Sequence, residues 1–141
     1  MDYATRLFPC MKSNSPVGAD NTPLKREGAP QDRLTNVKID PISGMHIGTI
    51  MMGTQELRVG IRPASATRKS VNPPMLLFNG IGANMELAGP MLAELDTTDT
   101  IIFDLPGAGK SPPPKRPYRL FSMARLARDL LDELGYGIVD V

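Results

Sequence analysis

Two short apolar runs, each passing directly into a glycine-bearing loop, constrain this chain more than any other feature. They are Met75–Phe78 and residues 101–103, followed by Asn79-Gly80-Ile81-Gly82 and by Asp104-Leu105-Pro106-Gly107-Ala108-Gly109. Between them, residues 84–95 place Ala88, Met91, Leu92 and Leu95 on one helical face. Pro90 suits a first helical turn, so the regular helix is expected near Gly89, after an irregular turn. Strand, loop, helix, strand, loop is one repeat of a parallel α/β sheet. In such sheets, ligands gather at the carboxyl ends of the strands, where both loops stand. The unbroken apolar character of Met75–Phe78 predicts a strand buried on both faces.

The flanking sequence extends this unit. Residues 37–63 read as antiparallel: His46–Met52 and Gln55–Arg62 flank Gly53-Thr54, a pair that fits a type II′ hairpin turn. Leu57, Val59 and Ile61 alternate with Glu56, Arg58, Gly60 and Arg62, which puts one face on a core. Residues 64–72 form a polar connection, and Pro73-Pro74 sets an extended entry to the next strand. After residue 104, Pro112-Pro113-Pro114 and Pro117 exclude helix. Ser122 is expected to cap a helix whose apolar stripe is Met123, Ala127, Leu130, Leu131 and Leu134, with Gly135 as its stop. Residues 138–141 then open another strand.

Residues 1–36, with Pro9, Pro16, Pro23 and Pro30 among polar residues, are expected to be a disordered or loosely packed leader. Residues 37–141 are expected to form the N-terminal part of an incomplete α/β domain, since a sheet of two or three parallel strands leaves an edge and an apolar face open. A net charge of +1 argues neither for nucleic acid nor for a membrane surface. No run approaches the ~18 apolar residues of a membrane span, and a cytoplasmic location is the expectation. Cys10 is the single cysteine, so no internal disulfide forms.

Gly107-Ala108-Gly109-Lys110-Ser111 offers one chemical reading, a phosphate-binding P-loop and hence a nucleotide-binding module. Against it, the first glycine of that pattern falls on Asp104, and three prolines follow Ser111 where a helix must start. Metal binding has no support from one Cys and one His, and no cofactor is expected. A noncatalytic remnant binding a partner through its open sheet is a third reading.

Both loops together, with a helix ending at Leu134-Gly135 and an apolar strand after it, give an order that resembles the α/β-hydrolase superfamily over residues 37–141. The resemblance implies that the loop after the first parallel strand supplies a backbone N–H to an oxyanion hole. Asn79-Gly80 stands at that place, so Ile81 N–H is the implied donor, with Gly80 and Gly82 allowing close approach of substrate. The segment 104–111 is implied to be a structural turn: Ser111 a hydrogen-bonding residue rather than a nucleophile, Asp104 an anchor for nearby N–H groups. The wording NGIGANMELAGPMLAELD, FDLPGAGKSPPPKRPYR and LLDELGYGIVDV is similar to intracellular, medium-chain poly(3-hydroxyalkanoate) depolymerases. Asn79, the Tyr118-Arg119 pair and Leu134-Gly135-Tyr136-Gly137 carry that match. It implies serine-dependent hydrolysis of an ester or polyester, and association with storage granules. The superfamily order of serine, acid, then histidine places the serine about four residues beyond Val141. His46 precedes the sheet and is not the base. The 141-residue chain alone is therefore expected to be inactive.

Overall fold

The structure is a computed structural model, and it describes residues 28–65, 73–79, 83–114, 117 and 119–141. Five strands, β1 (Thr35–Ile39), β2 (His46–Met52), β3 (Gln55–Arg62), β4 (Met75–Phe78) and β5 (Thr100–Phe103), form one mixed sheet in the order β1-β2-β3-β5-β4. The expected hairpin is β2–β3, and Gly53 at φ 62 supplies the positive dihedral its turn requires. Strand β3 then pairs antiparallel with β5, and β4 pairs parallel with β5, Phe78 opposite Phe103. On the far side of β4, the Leu76 N–H donates to the Asp140 carbonyl at 2.7 Å and the Asp140 N–H to the Pro74 carbonyl at 2.8 Å. This parallel bridge, Met75 to Asp140, sits where the sequence predicts another strand.

Period-two alternation sorts the core into two layers. Leu57, Val59, Ile61, Leu76, Ile101 and Phe103 face helix α2 (Leu120–Leu134), which contributes Ala127, Leu130 and Leu134. Ile102 faces the other way, onto Met45, Met85 and Leu92. Leu92 lies on the short helix α1 (Gly89–Glu94), which follows a 3₁₀ turn over Met85–Ala88. The irregular start before Gly89 is as the sequence predicts.

Four expectations are corrected. Strand β5, not β4, is the one buried on both faces; in β4 only Leu76 is fully enclosed, and Phe78 is 43% exposed. The reason is position, since β5 has a strand on either side and a helix on each face. Met91 is 49% exposed, and the buried methionine of this segment is Met85, in the 3₁₀ turn, which packs with Leu92 and Ile102. Helix α2 begins at Leu120 with Arg119 as its N-cap and no side-chain cap, so Ser122 lies inside the first turn. Its C-terminus ends as expected: Gly135 at φ 86 is left-handed, and the Tyr136 N–H reaches back to the Leu131 carbonyl at 2.9 Å. Finally, ordered structure extends N-terminal of residue 37. A 3₁₀ turn spans Pro30–Arg33, Leu34 is buried in the core, and the Arg33 guanidinium donates to the Glu133 carbonyl at the end of α2. Leu34 is the one strongly apolar residue near the sheet in a polar stretch, and a single anchor gives no periodicity to read.

Candidate functional site

The carboxyl ends of β4 and β5 meet at Asp104. This residue follows β5 directly and is fully buried, so its carboxylate requires hydrogen-bond partners in place of water. Among the described residues, donors from four segments supply them. The Asn79 side-chain amide and the Met85 backbone N–H each donate to Oδ1 at 3.1 Å. The Lys110 backbone N–H donates to Oδ2 at 3.0 Å, and the Arg58 guanidinium to the same oxygen at 3.2 Å. Asp104 thus ties together the residue after β4, the start of the 3₁₀ turn, the glycine turn and β3. The sequence predicts it as an anchor for nearby N–H groups, and the structure adds two side chains to that set.

The glycine turn is shaped around this carboxylate. Gly107 and Gly109 have φ 83 and 54, a region that favours glycine. At Gly109 the missing side chain has a second purpose, because a Cβ there would land on the Asp104 carboxyl group. Ser111 closes the turn. Its hydroxyl donates to the Asp104 carbonyl at 2.7 Å and accepts from the Arg58 N–H at 2.9 Å. The hydroxyl is buried and engaged on both sides, the arrangement of a structural residue and not of an attacking group.

A charge network surrounds the anchor. Arg58 pairs with Glu86 at 2.7 Å as well as with Asp104, and Lys110 Nζ also reaches Glu86 at 2.7 Å. Hydrogen bonding from Arg58, reinforced by Lys110, pulls the Glu86 carboxyl down to about 2. Burial works against the Arg58 charge, yet hydrogen bonds to Glu86 and Asp104 outweigh it and raise the guanidinium further. Two cations face two anions here, so the cluster carries no net charge.

Lys110 and Ser111 do not open a helix; they lie in a turn, and Pro112–114 continue without one. The centre that a P-loop offers to phosphate is occupied by a carboxylate of the protein itself. His46, at the start of β2, lies opposite Ile61, which in turn lies opposite Ile101, toward the amino end of β5 and away from Asp104. Among the described residues there is no group of three His, Cys, Asp or Glu side chains that could hold a metal. The three residues singled out for oxyanion chemistry, Gly80, Ile81 and Gly82, lie outside the described residues, as do Cys10, Tyr118 and the leader up to residue 27. Arg58 and Glu86 were not singled out from the sequence. Their only signal was a charged residue on each of two elements that flank the glycine turn, too common a pattern to read.

Comparison with known proteins bears on the same segment. Residues 73–140 match the family described as the alpha/beta hydrolase fold. The fold is that of an α/β hydrolase. Over 94 residues, 66% of this chain, the sequence is 43% identical to a poly(3-hydroxyalkanoate) depolymerase of Ectopseudomonas oleovorans. The chain spans about a third of the length of that relative, 32%. Among solved structures, the E-2-(acetamidomethylene)succinate hydrolase is similar at a TM-score of 0.55 and 26% identity, over 67% of this chain and 33% of that one. A bacterial membrane phospholipase A, described as a virulence factor, shares the fold at a TM-score of 0.57 and 22% identity, over 67% and 29% of the two chains. Strand β4, the loop at Asn79, β5 and the Asp104 turn therefore belong to the front part of this hydrolase fold.

Proposed function

We propose that this chain is the N-terminal segment of a serine-dependent carboxylic ester hydrolase that cleaves poly(3-hydroxyalkanoate). The observation that carries the proposal is the 43% identity to the depolymerase across 94 residues. In this reading, a serine attacks the ester carbonyl, the carbonyl oxygen gains negative charge, and the Ile81 backbone N–H is one of the groups that stabilise it. Gly80 and Gly82, in this reading, let the backbone turn and approach the substrate closely. A donor of this kind contributes on the order of 3 kcal/mol to the transition state. Its action is through the backbone, so an isoleucine side chain is no obstacle. The serine, acid and histidine come from polypeptide beyond Val141, and the 141-residue chain alone turns nothing over. The intact enzyme works in the cytoplasm at polyester storage granules. Among the described residues, no helix is long and apolar enough to cross a membrane.

The test compares the 141-residue chain with the protein translated through the downstream coding sequence. Release of 3-hydroxy acids from a medium-chain polyester latex, by the longer protein only and abolished by Ser→Ala at a G-x-S-x-G serine within a few residues of Val141, supports the proposal. Absence of that motif, absence of ester hydrolysis by the longer protein, or turnover of a p-nitrophenyl acyl ester by the 141-residue chain overturns it. Protection of the chain from proteolysis by Mg-ATP favours the nucleotide-binding reading instead.

A further inference from the structure

Two glycines make room for the segment that leads into β1. Gly48 in β2 is buried, and a Cβ there would come within 2.7 Å of the Thr35 carbonyl oxygen and 2.8 Å of Leu34 Cβ. Strand β2 thus carries a track that only glycine leaves open to residues 34 and 35. Beyond the track, the Arg33 guanidinium donates to the Glu133 carbonyl and lies against Gly135, where a Cβ would approach it to 3.4 Å. A cation there also faces the negative end of the α2 dipole. Between these contacts Leu34 is buried, in the cluster that holds Ala127, Leu130 and Leu134 of α2. The segment is braced internally: Pro30 opens its turn, the Ala29 N–H donates to the Asp32 carboxylate at 3.0 Å, and the Leu34 N–H donates to the Gln31 carbonyl at 3.2 Å. Just past it, the β1–β2 register slips between Thr35 and Lys38, and Asn36 takes a left-handed φ of 54. A braced turn joined to a sheet at a bulge can leave it as one body.

We propose that residues 30–35 form a latch, hinged at Asn36, that seats on β2 and on the carboxyl end of α2, and that its release loosens residues 131–140 in the same step. The coupling follows from chain order. Arg33 holds the chain at Glu133 and Gly135, and residues 136–139 lead from there to Asp140, which bonds to Pro74 and Leu76 at the edge of β4. Without the latch, this stretch loses the guanidinium from its turn and the Leu34 side chain from the core it closes. Local opening costs least where few apolar contacts and hydrogen bonds hold a segment. Strands β3 and β5 are paired on both sides and open only with the whole domain. The latch is independent of the ester-hydrolase reading.

Native-state hydrogen exchange of the full chain, read amide by amide by NMR, tests the latch. The reporters are Leu34 on the latch and Gly135, Tyr136 and Asp140 beyond α2, whose N–H groups are all hydrogen-bonded. Gly48→Ala closes the track while leaving Arg33, Leu34 and every residue of α2 in place. Arg33→Ala removes the clamp at the helix end. Each is expected to speed exchange of all four reporters together by roughly 10-fold, the effect of losing one hydrogen bond to a charged group, with β3 and β5 amides within about twofold of wild type. Arg33→Lys, which keeps a cation at the helix end, is expected to recover part of the protection. Acceleration of Leu34 alone, with Gly135, Tyr136 and Asp140 unchanged, overturns the coupling. Equal acceleration of β5 amides in Arg33→Ala overturns the latch as a separate unit, and unchanged exchange at all four reporters overturns it outright. If Gly48→Ala does not fold, the two Arg33 variants decide alone.

Discussion

Replacing each of the two glycines of the Asp104 turn with alanine separates backbone strain from crowding of the carboxylate. Gly107 and Gly109 both have left-handed dihedrals, φ 83 and 54. An alanine there costs about 1–2 kcal/mol, partly offset by about 0.4–1 kcal/mol from a stiffer unfolded chain. By dihedral alone, position 109 lies nearer the left-handed minimum of about +57° and is the cheaper site. The surroundings reverse that order. At 107, a Cβ meets Pro114 Cδ at 3.5 Å and Pro113 Cα at 3.7 Å, ordinary contacts. At 109 it falls on the Asp104 carboxyl group, which must move and loosen its bonds to Lys110 N–H and Arg58. Hydrogen bonds to a charged group are each worth about 1.5–3 kcal/mol. Gly107→Ala is therefore expected to cost about 1 kcal/mol and Gly109→Ala about 3–5 kcal/mol. Urea unfolding followed by far-ultraviolet circular dichroism, with linear extrapolation to water, measures both. Losses that agree within about 0.5 kcal/mol, or a larger loss at 107, refute the claim that the turn is built around the carboxylate.

Further expectations concern neighbouring groups. Ser111→Ala removes a hydroxyl buried between the Asp104 carbonyl and the Arg58 N–H and should cost about 2 kcal/mol; in the intact protein, turnover per folded site should be unchanged, and its abolition would refute the structural role given to Ser111. Glu86 has its carboxyl lowered to about 2 by Arg58 first and Lys110 next, so its contribution is complete above the ordinary value near 4.5 and is lost as pH falls through about 2. Its side chain is 38% exposed, and solvent screening reduces that contribution to about 1 kcal/mol; Glu86→Gln should therefore trail wild type by a constant amount from pH 7 to 5, with the gap closing toward pH 2 in a urea titration series. Leu130→Ala opens a cavity beneath the α2 face of the sheet, where Leu130 is fully enclosed, and should lower stability by about 2–5 kcal/mol in the same assay.

The sequence made the hairpin and both parallel strands legible because their cues are local. Gly53 marks the turn, alternation marks β3, and glycine follows each short apolar run. What it could not show was which parallel strand is central. Met75–Phe78 and residues 101–103 are equally apolar, and only the pairing of β3 with β5 and the two covering helices decides that β5 is enclosed. The start of α2 was misplaced for a related reason. Leu120 and Phe121 are apolar yet 80% and 89% exposed, so the first turn does not join the buried stripe that marks the rest of the helix, and Ser122 offered the nearest capping residue. At the site, Asp104 was readable because a carboxylate before a glycine turn has few satisfactory environments. Arg58 and Glu86 were not, since their pairing brings together positions 28 residues apart in the chain and depends on the fold rather than on any spacing.

The resemblance of residues 107–111 to a phosphate loop has a physical basis that also explains why the two differ. A phosphate loop turns backbone N–H groups inward around an anion that arrives from solution. Here the Lys110 N–H also turns inward, toward an anion that the chain carries, the carboxylate of Asp104. Because that anion is covalently part of the chain that leaves β5, the turn needs no helix N-terminus to hold it, and prolines follow Ser111. Arg58, Lys110 and Glu86 then bring the cluster to electrical balance. Paired with Arg58, the buried carboxylate can hold the Asn79 amide and the Met85 and Lys110 N–H groups together without standing as an unpaired buried charge.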